Sequence, residues 1–216
     1  MDDPKLARLL EHPAIWRGRS AARLEVLPSG FAALDESLPA GGWPRSGLIE
    51  ILIARLGSGE LSLLVPALAA LTRAASARWC VWVAPPLMPF APALAAQGVV
   101  LERVAVVCGQ RPLWAFEQVL GSGAADAALG WSRRTQPRDI RRLQLAAERG
   151  RTLGVLFRPR RAARESSGAA LRLGVESVQG GVRVTLLKGR GARGTVQLAD
   201  LTAHHTAVRD ASAACT

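Results

Sequence analysis

The residues with the most chemical content follow an apolar run. Leu48-Ile49-Glu50-Ile51-Leu52-Ile53 has the length of a buried strand, and Gly57-Ser58-Gly59 comes just after it. A glycine turn between strand and helix lets backbone N–H groups wrap a phosphate. It also needs a lysine to neutralise the charge and a hydroxyl to hold magnesium. Counting back from Gly59, Ala54 stands at the first glycine position, Glu60 at the lysine position and Leu61 at the hydroxyl position. A carboxylate about 4 Å from a phosphate oxygen costs roughly 4 kcal/mol at an effective dielectric of 20, where a lysine would gain as much. Arg55 is in the loop but badly placed to substitute. The loop Ala54, Gly57, Gly59, Glu60, Leu61 therefore reads as a degenerate phosphate loop, with no catalytic residue, metal or cofactor expected. An ordinary strand-to-helix turn accounts for the same glycines.

The second concentration of chemistry is positive charge. The 216 residues carry 28 basic and 17 acidic side chains, a formal +11. Residues 1–130 are balanced, so the whole excess lies in residues 131–216. Arg133, Arg134, Arg138, Arg141 and Arg142 cluster in one connection and the helix after it, and Lys188 and Arg190 lie further on. Such a patch meets a polyanion or an acidic partner surface first, although a solvated helix face has the same composition. An apolar arm is the other candidate contact: Leu6, Leu9 and Leu10 recur at helical spacing. Cys80, Cys108 and Cys215 are too far apart for a zinc knuckle and odd in number, and His204-His205 has no carboxylate or cysteine cluster near it.

The elements that must position these residues alternate. After the strand at 48–53, the pattern predicts a buried helix over 61–71 and strands at 79–84 and 104–107. A helix over 111–120, a weak strand at 124–129, a helix over 140–149 and a strand at 152–157 follow. Beyond that, Leu171, Leu173 and Val175, then Val182, Val184 and Leu186, alternate with polar residues as half-buried antiparallel strands do. The expected fold class is an α/β layered sheet, mostly parallel, flanked by helices and closed by a C-terminal antiparallel meander. The expected domains are a helical arm at 1–24, a core at 25–202 and a disordered tail at 203–216. No signal peptide or 18-residue apolar span appears, so a cytoplasmic protein is expected.

The order of these elements, with Leu27-Pro28-Ser29-Gly30, Gly41-Gly42-Trp43-Pro44 and Gly47-Leu48-Ile49-Glu50-Ile51, resembles bacterial RecA recombinases over roughly residues 25–200. The resemblance implies a RecA-like P-loop NTPase fold. It also implies a catalytic glutamate where Pro85 or Pro86 stands, a magnesium-organising aspartate where Gly130-Trp131 stands, and a nucleotide-sensing glutamine where Arg158-Pro159 stands. A pseudo-ATPase follows, with Trp43 and Trp131 expected to fill the old nucleotide space.

Among such proteins, His12-Pro13-Ala14-Ile15-Trp16-Arg17-Gly18 and Leu153-Gly154-Val155-Leu156-Phe157-Arg158-Pro159 look like the ImuA family of translesion synthesis accessories. That likeness implies an SOS-induced, non-catalytic partner of an ImuB-type protein and an error-prone DnaE-type polymerase, with RecA as a further partner and any DNA contact weak or indirect. Two alternatives stand beside it: a SulA-like SOS inhibitor of cell division that binds FtsZ, and a divergent DNA-dependent ATPase.

Overall fold

The computed structural model describes residues 25–189 and 194–199. The expected arm with Leu6, Leu9 and Leu10, the expected tail at 203–216, His204-His205, Cys215 and Arg190 lie outside them.

Strand formation follows apolar, β-branched content. Gly47–Ile53 (β3), Trp79–Val83 (β4), Val104–Val107 (β5), Ala125–Trp131 (β6) and Leu153–Pro159 (β7) are parallel to their neighbours in one sheet. Leu171–Val178 (β8) joins β3 in parallel, then turns back through Gly181–Lys188 (β9) and Gly194–Ala199 (β10) as an antiparallel meander. The resulting eight-stranded mixed sheet has the order β10-β9-β8-β3-β7-β6-β4-β5. Val26–Leu27 (β1) and Trp43–Pro44 (β2) make a separate antiparallel pair. Because β3 lies between β7 and β8, every residue in it is buried.

Helices cover the two faces. Ala32–Ser37 (α1) and Val65–Arg73 (α2) join one apolar layer with Ile49, Ile51, Trp82, Phe157 and Leu173. Pro112–Gly121 (α4) and Pro137–Gly150 (α5) pack Phe116, Leu120, Ile140 and Leu143 on Leu48, Ala128 and Leu156 of the other face. Between α2 and α4 in sequence runs the short helix Ala91–Ala96 (α3). The start of α5 is fixed by a capping box, in which the Gln136 N–H donates to Asp139 Oδ2 at 3.1 Å.

Helix α2 starts later than periodicity suggests, at Val65 instead of residue 61. Pro66 sits in its first turn, where a missing N–H costs nothing, and residues 61–64 form turns that do not continue the helix.

Charge is buried at the centre of the sheet. Glu50 is fully buried on β3, and its Oε1 accepts a hydrogen bond from Arg158 Nη1 of β7 at 2.7 Å. Its Oε2 lies 2.7 Å from Arg172 Nε of β8, an ionic contact without hydrogen-bond alignment. Arg158 Nη2 reaches Glu165 Oε2 at 2.6 Å, and Arg172 donates to the Glu165 and Ala162 carbonyls at 2.9 and 2.7 Å. Two carboxylates and two guanidiniums thus form a neutral quartet. Burial by itself lowers the Arg158 pKa, but its hydrogen bonds to Glu50 and Glu165 outweigh that and hold it above the ordinary arginine value. Arg158 therefore has a structural partner at the position where the RecA resemblance expects a nucleotide sensor.

Removing one member of a buried pair strands the other charge, so Glu50→Ala is expected to lower the unfolding free energy by about 3–5 kcal/mol in urea titrations. The exposed Arg142–Glu117 pair joins α5 to α4, and Arg142→Ala is expected to cost under about 1 kcal/mol in the same assay.

The Cys80 thiol, buried on β4, is pushed up to about 12, by burial first and by the Asp126 carboxylate second. An unfolded thiol ionises near pH 9, so this difference favours the unfolded chain as pH rises from 9 towards 12, by roughly 1.4 kcal/mol per unit. Native protein at pH 8 is expected to leave Cys80 unlabelled by iodoacetamide, with labelling appearing only on unfolding, as peptide mass mapping would show.

Candidate functional site

The turn after β3 is organised by its own residues. Gly57 donates its N–H to Glu60 Oε1 at 2.9 Å, and Ser58 Oγ donates to the Arg55 carbonyl at 2.8 Å. Gly59 has φ of +90°, and a β-carbon there would overlap the Val182 side chain of β9. Glycine is needed here for backbone conformation and for close packing on the meander. Glu60 is buried, and its carboxylate takes an N–H that a phosphate would need. The helix that should receive the phosphate charge begins five residues beyond Glu60. The local geometry is a closed turn and supplies no phosphate cradle.

Beside the turn an apolar cleft of about 370 Å³ opens at the C-terminal ends of β3, β4 and β6. Its lining joins Leu56, Leu61 and Val65 with the irregular loop Pro86, Leu87, Met88, Pro89 and Phe90, Leu94 of α3, Trp82 and Trp131. Trp131 packs on Trp82 with centroids 5.7 Å apart and stacks on Phe157 at 4.9 Å. Four of the lining or rim side chains are strongly solvent-exposed: Leu56 at 46%, Leu87 at 44%, Met88 at 37% and Phe90 at 49%. Grouped exposure of large apolar side chains marks a contact surface. Glu60 Oε2 and Trp82 Nε1 are buried beside this cleft without hydrogen-bond partners among the described residues, at about 1–3 kcal/mol each.

The expectation that Trp43 and Trp131 fill this space is not met. Trp43 is fully buried in the core and does not line the cleft, whereas Trp131 lines it and leaves it open. The cleft residues themselves went unread in the sequence. Their signal was Pro85-Pro86-Leu87-Met88-Pro89-Phe90, an apolar run whose three prolines exclude both helix and central strand.

The basic cluster is brought together in part. Arg133, Arg134, Arg138, Arg141 and Arg142 are exposed on the connection after β6 and on the outer side of α5. Arg161 Nη2 donates to the Arg133 carbonyl at 3.1 Å, and Arg158 Nη2 to the Thr135 carbonyl at 3.2 Å, so the segment after β7 braces this connection. Lys188 is apart from them and donates to the Ser167 and Ala169 carbonyls at 2.7 and 2.8 Å. Among the described residues no group of three His, Cys, Asp or Glu side chains could hold a metal ion, and no helix is long and apolar enough to cross a membrane.

No family model matches the chain. It is 32% identical over 99 residues to the cell division inhibitor SulA of Photorhabdus laumondii, which covers 44% of the chain and 56% of that relative, so the chain spans little more than half of it. It is 32% identical over 120 residues to the cell division inhibitor SulA of Edwardsiella piscicida, covering 54% of the chain and 70% of the relative. The chain belongs to the SulA family of cell division inhibitors. A crystal structure of SulA from Pseudomonas aeruginosa aligns with a TM-score of 0.44 and 23% identity, over 51% of the chain and 97% of that protein.

SulA relationship replaces the ImuA resemblance and, with it, the expected ImuB-type, DnaE-type polymerase and RecA partners and the role in translesion synthesis and DNA repair. It also replaces the RecA-like P-loop NTPase fold assignment. The physical reason the sequence misled is local: Ala54, Gly57, Gly59, Glu60 and Leu61 mimic a damaged phosphate loop, while the residues build a self-bonded turn. Glu60→Lys is accordingly expected to create no nucleotide site, with no ATP heat in calorimetry up to about 1 mM; submillimolar binding would show that a phosphate cradle is present after all.

Proposed function

We propose that this SulA-family chain is an SOS-induced inhibitor of bacterial cell division that binds the FtsZ subunit in the cytoplasm and keeps it from assembling. The observation that carries this reading is the 32% identity over 70% of the Edwardsiella piscicida division inhibitor. The architecture agrees with action by binding. The Gly57 N–H is spent on Glu60, and the large exposed feature nearby is lined mostly by apolar side chains. Function then resides in a surface and in the stoichiometry with which it captures a subunit.

Induced expression in a rod-shaped bacterial host is expected to give long cells without septa. Purified chain is expected to reduce GTP-dependent pelleting of FtsZ in proportion to the molar ratio, approaching completion near equimolar addition. Normal septation together with unchanged pelleting would sink the proposal.

A further inference from the structure

We propose that the apolar cleft and the arginines that adjoin its lining form one docking surface for an acidic, amphipathic polypeptide segment of a partner protein. This rests on the reading of the chain as an inhibitor that acts by binding, and adds the chemistry of what it binds. The cleft offers apolar side chains from three segments, Leu56 and Leu61, then Leu87, Met88 and Phe90, then Trp131. Exposed arginines adjoin the lining along the chain: Arg55 precedes Leu56, and Arg133 and Arg134 follow Trp131 by two and three residues, and none of the three makes an ion pair among the described residues. Among the described residues the only ionisable side chain in the lining is Glu60, which is buried. A partner segment seated there meets apolar surface with cations on the adjoining residues, the complement of apolar residues accompanied by carboxylates.

The arginine-bearing loop is held in place before any partner arrives, because the Thr135 carbonyl accepts from Arg158 of the buried quartet and the Arg133 carbonyl accepts from Arg161. Preorganisation of this kind reduces the ordering cost of association.

The test uses the full chain and two labelled synthetic helices of about 16 residues, read by fluorescence anisotropy. One carries Leu and Phe on one face and Glu on the other; the second has Lys in place of every Glu. The Glu helix is expected to bind at least about tenfold tighter, with the preference shrinking in 1 M salt. Met88→Ala with Phe90→Ala is expected to weaken it about tenfold, and Arg133→Glu with Arg134→Glu to abolish the preference, each variant melting close to the parent.

Equal affinity for the two helices, binding of neither, or indifference to the cleft variants would overturn the surface. So would cleft variants that release residues 1–24 to protease, assigning the cleft to the chain's own leucines, or that turn a dimer into a monomer, assigning it to a second copy. The two readings fail separately. Intact FtsZ inhibition by the cleft variants removes this surface and keeps the function, whereas peptide discrimination without any effect on FtsZ does the reverse.

Discussion

The sheet is organised around a carboxylate that has no access to water. Glu50 lies on an interior strand, and its two oxygens face one guanidinium from each adjoining strand, Arg158 of β7 and Arg172 of β8. Desolvating these groups is expensive, and only simultaneous pairing offsets it. That requirement fixes register. A one-residue slip of β3 would carry Glu50 to the face occupied by Ile49 and Ile51 and leave two cations buried opposite alkyl chains. The apolar residues of β3 would tolerate several pairings; the charge tolerates one.

The same network reaches the molecular surface. Arg158 spends one nitrogen on Glu50 and the other on Glu165 and the Thr135 carbonyl, which ties the interior of the sheet to the connection carrying Arg133 and Arg134. Trp131, just before that connection, stacks between Trp82 and Phe157 and forms part of the cleft. Rigid packing below and exposed apolar side chains above thus meet within a few residues of chain. A binding protein needs this combination, since a surface held in shape by the core loses less freedom when it is covered.

How far the sequence could be read depended on whether the deciding contact was local. The runs at 48–53, 79–84 and 104–107 name their strands because alkyl content and length suffice. The late start of α2 is legible in retrospect from Pro66. The Glu50–Arg158 pair is not legible, because its members stand 108 positions apart and each looks locally like an anomaly, an acid in an apolar run and a missing glutamine. Glu60 misled for the opposite reason. A phosphate loop needs a lysine at its position, but the partner of Glu60 is Gly57, three residues away. The cleft escaped notice because prolines and apolar residues in an irregular loop have no periodicity to detect.

The placement of β3 also sets a problem of timing during synthesis. Its seven residues, ending at Ile53, are complete long before either neighbour exists, since β7 begins at Leu153 and β8 ends at Val178. At about 5–20 residues per second the ribosome needs roughly 6–25 s to supply the strands that cover it. Throughout that interval an apolar strand with an unmatched acid at its centre waits outside the ribosome. Glu50 opposes its burial against other apolar chains until two arginines arrive, so the residue that locks the finished sheet also discourages premature pairing of the unfinished one.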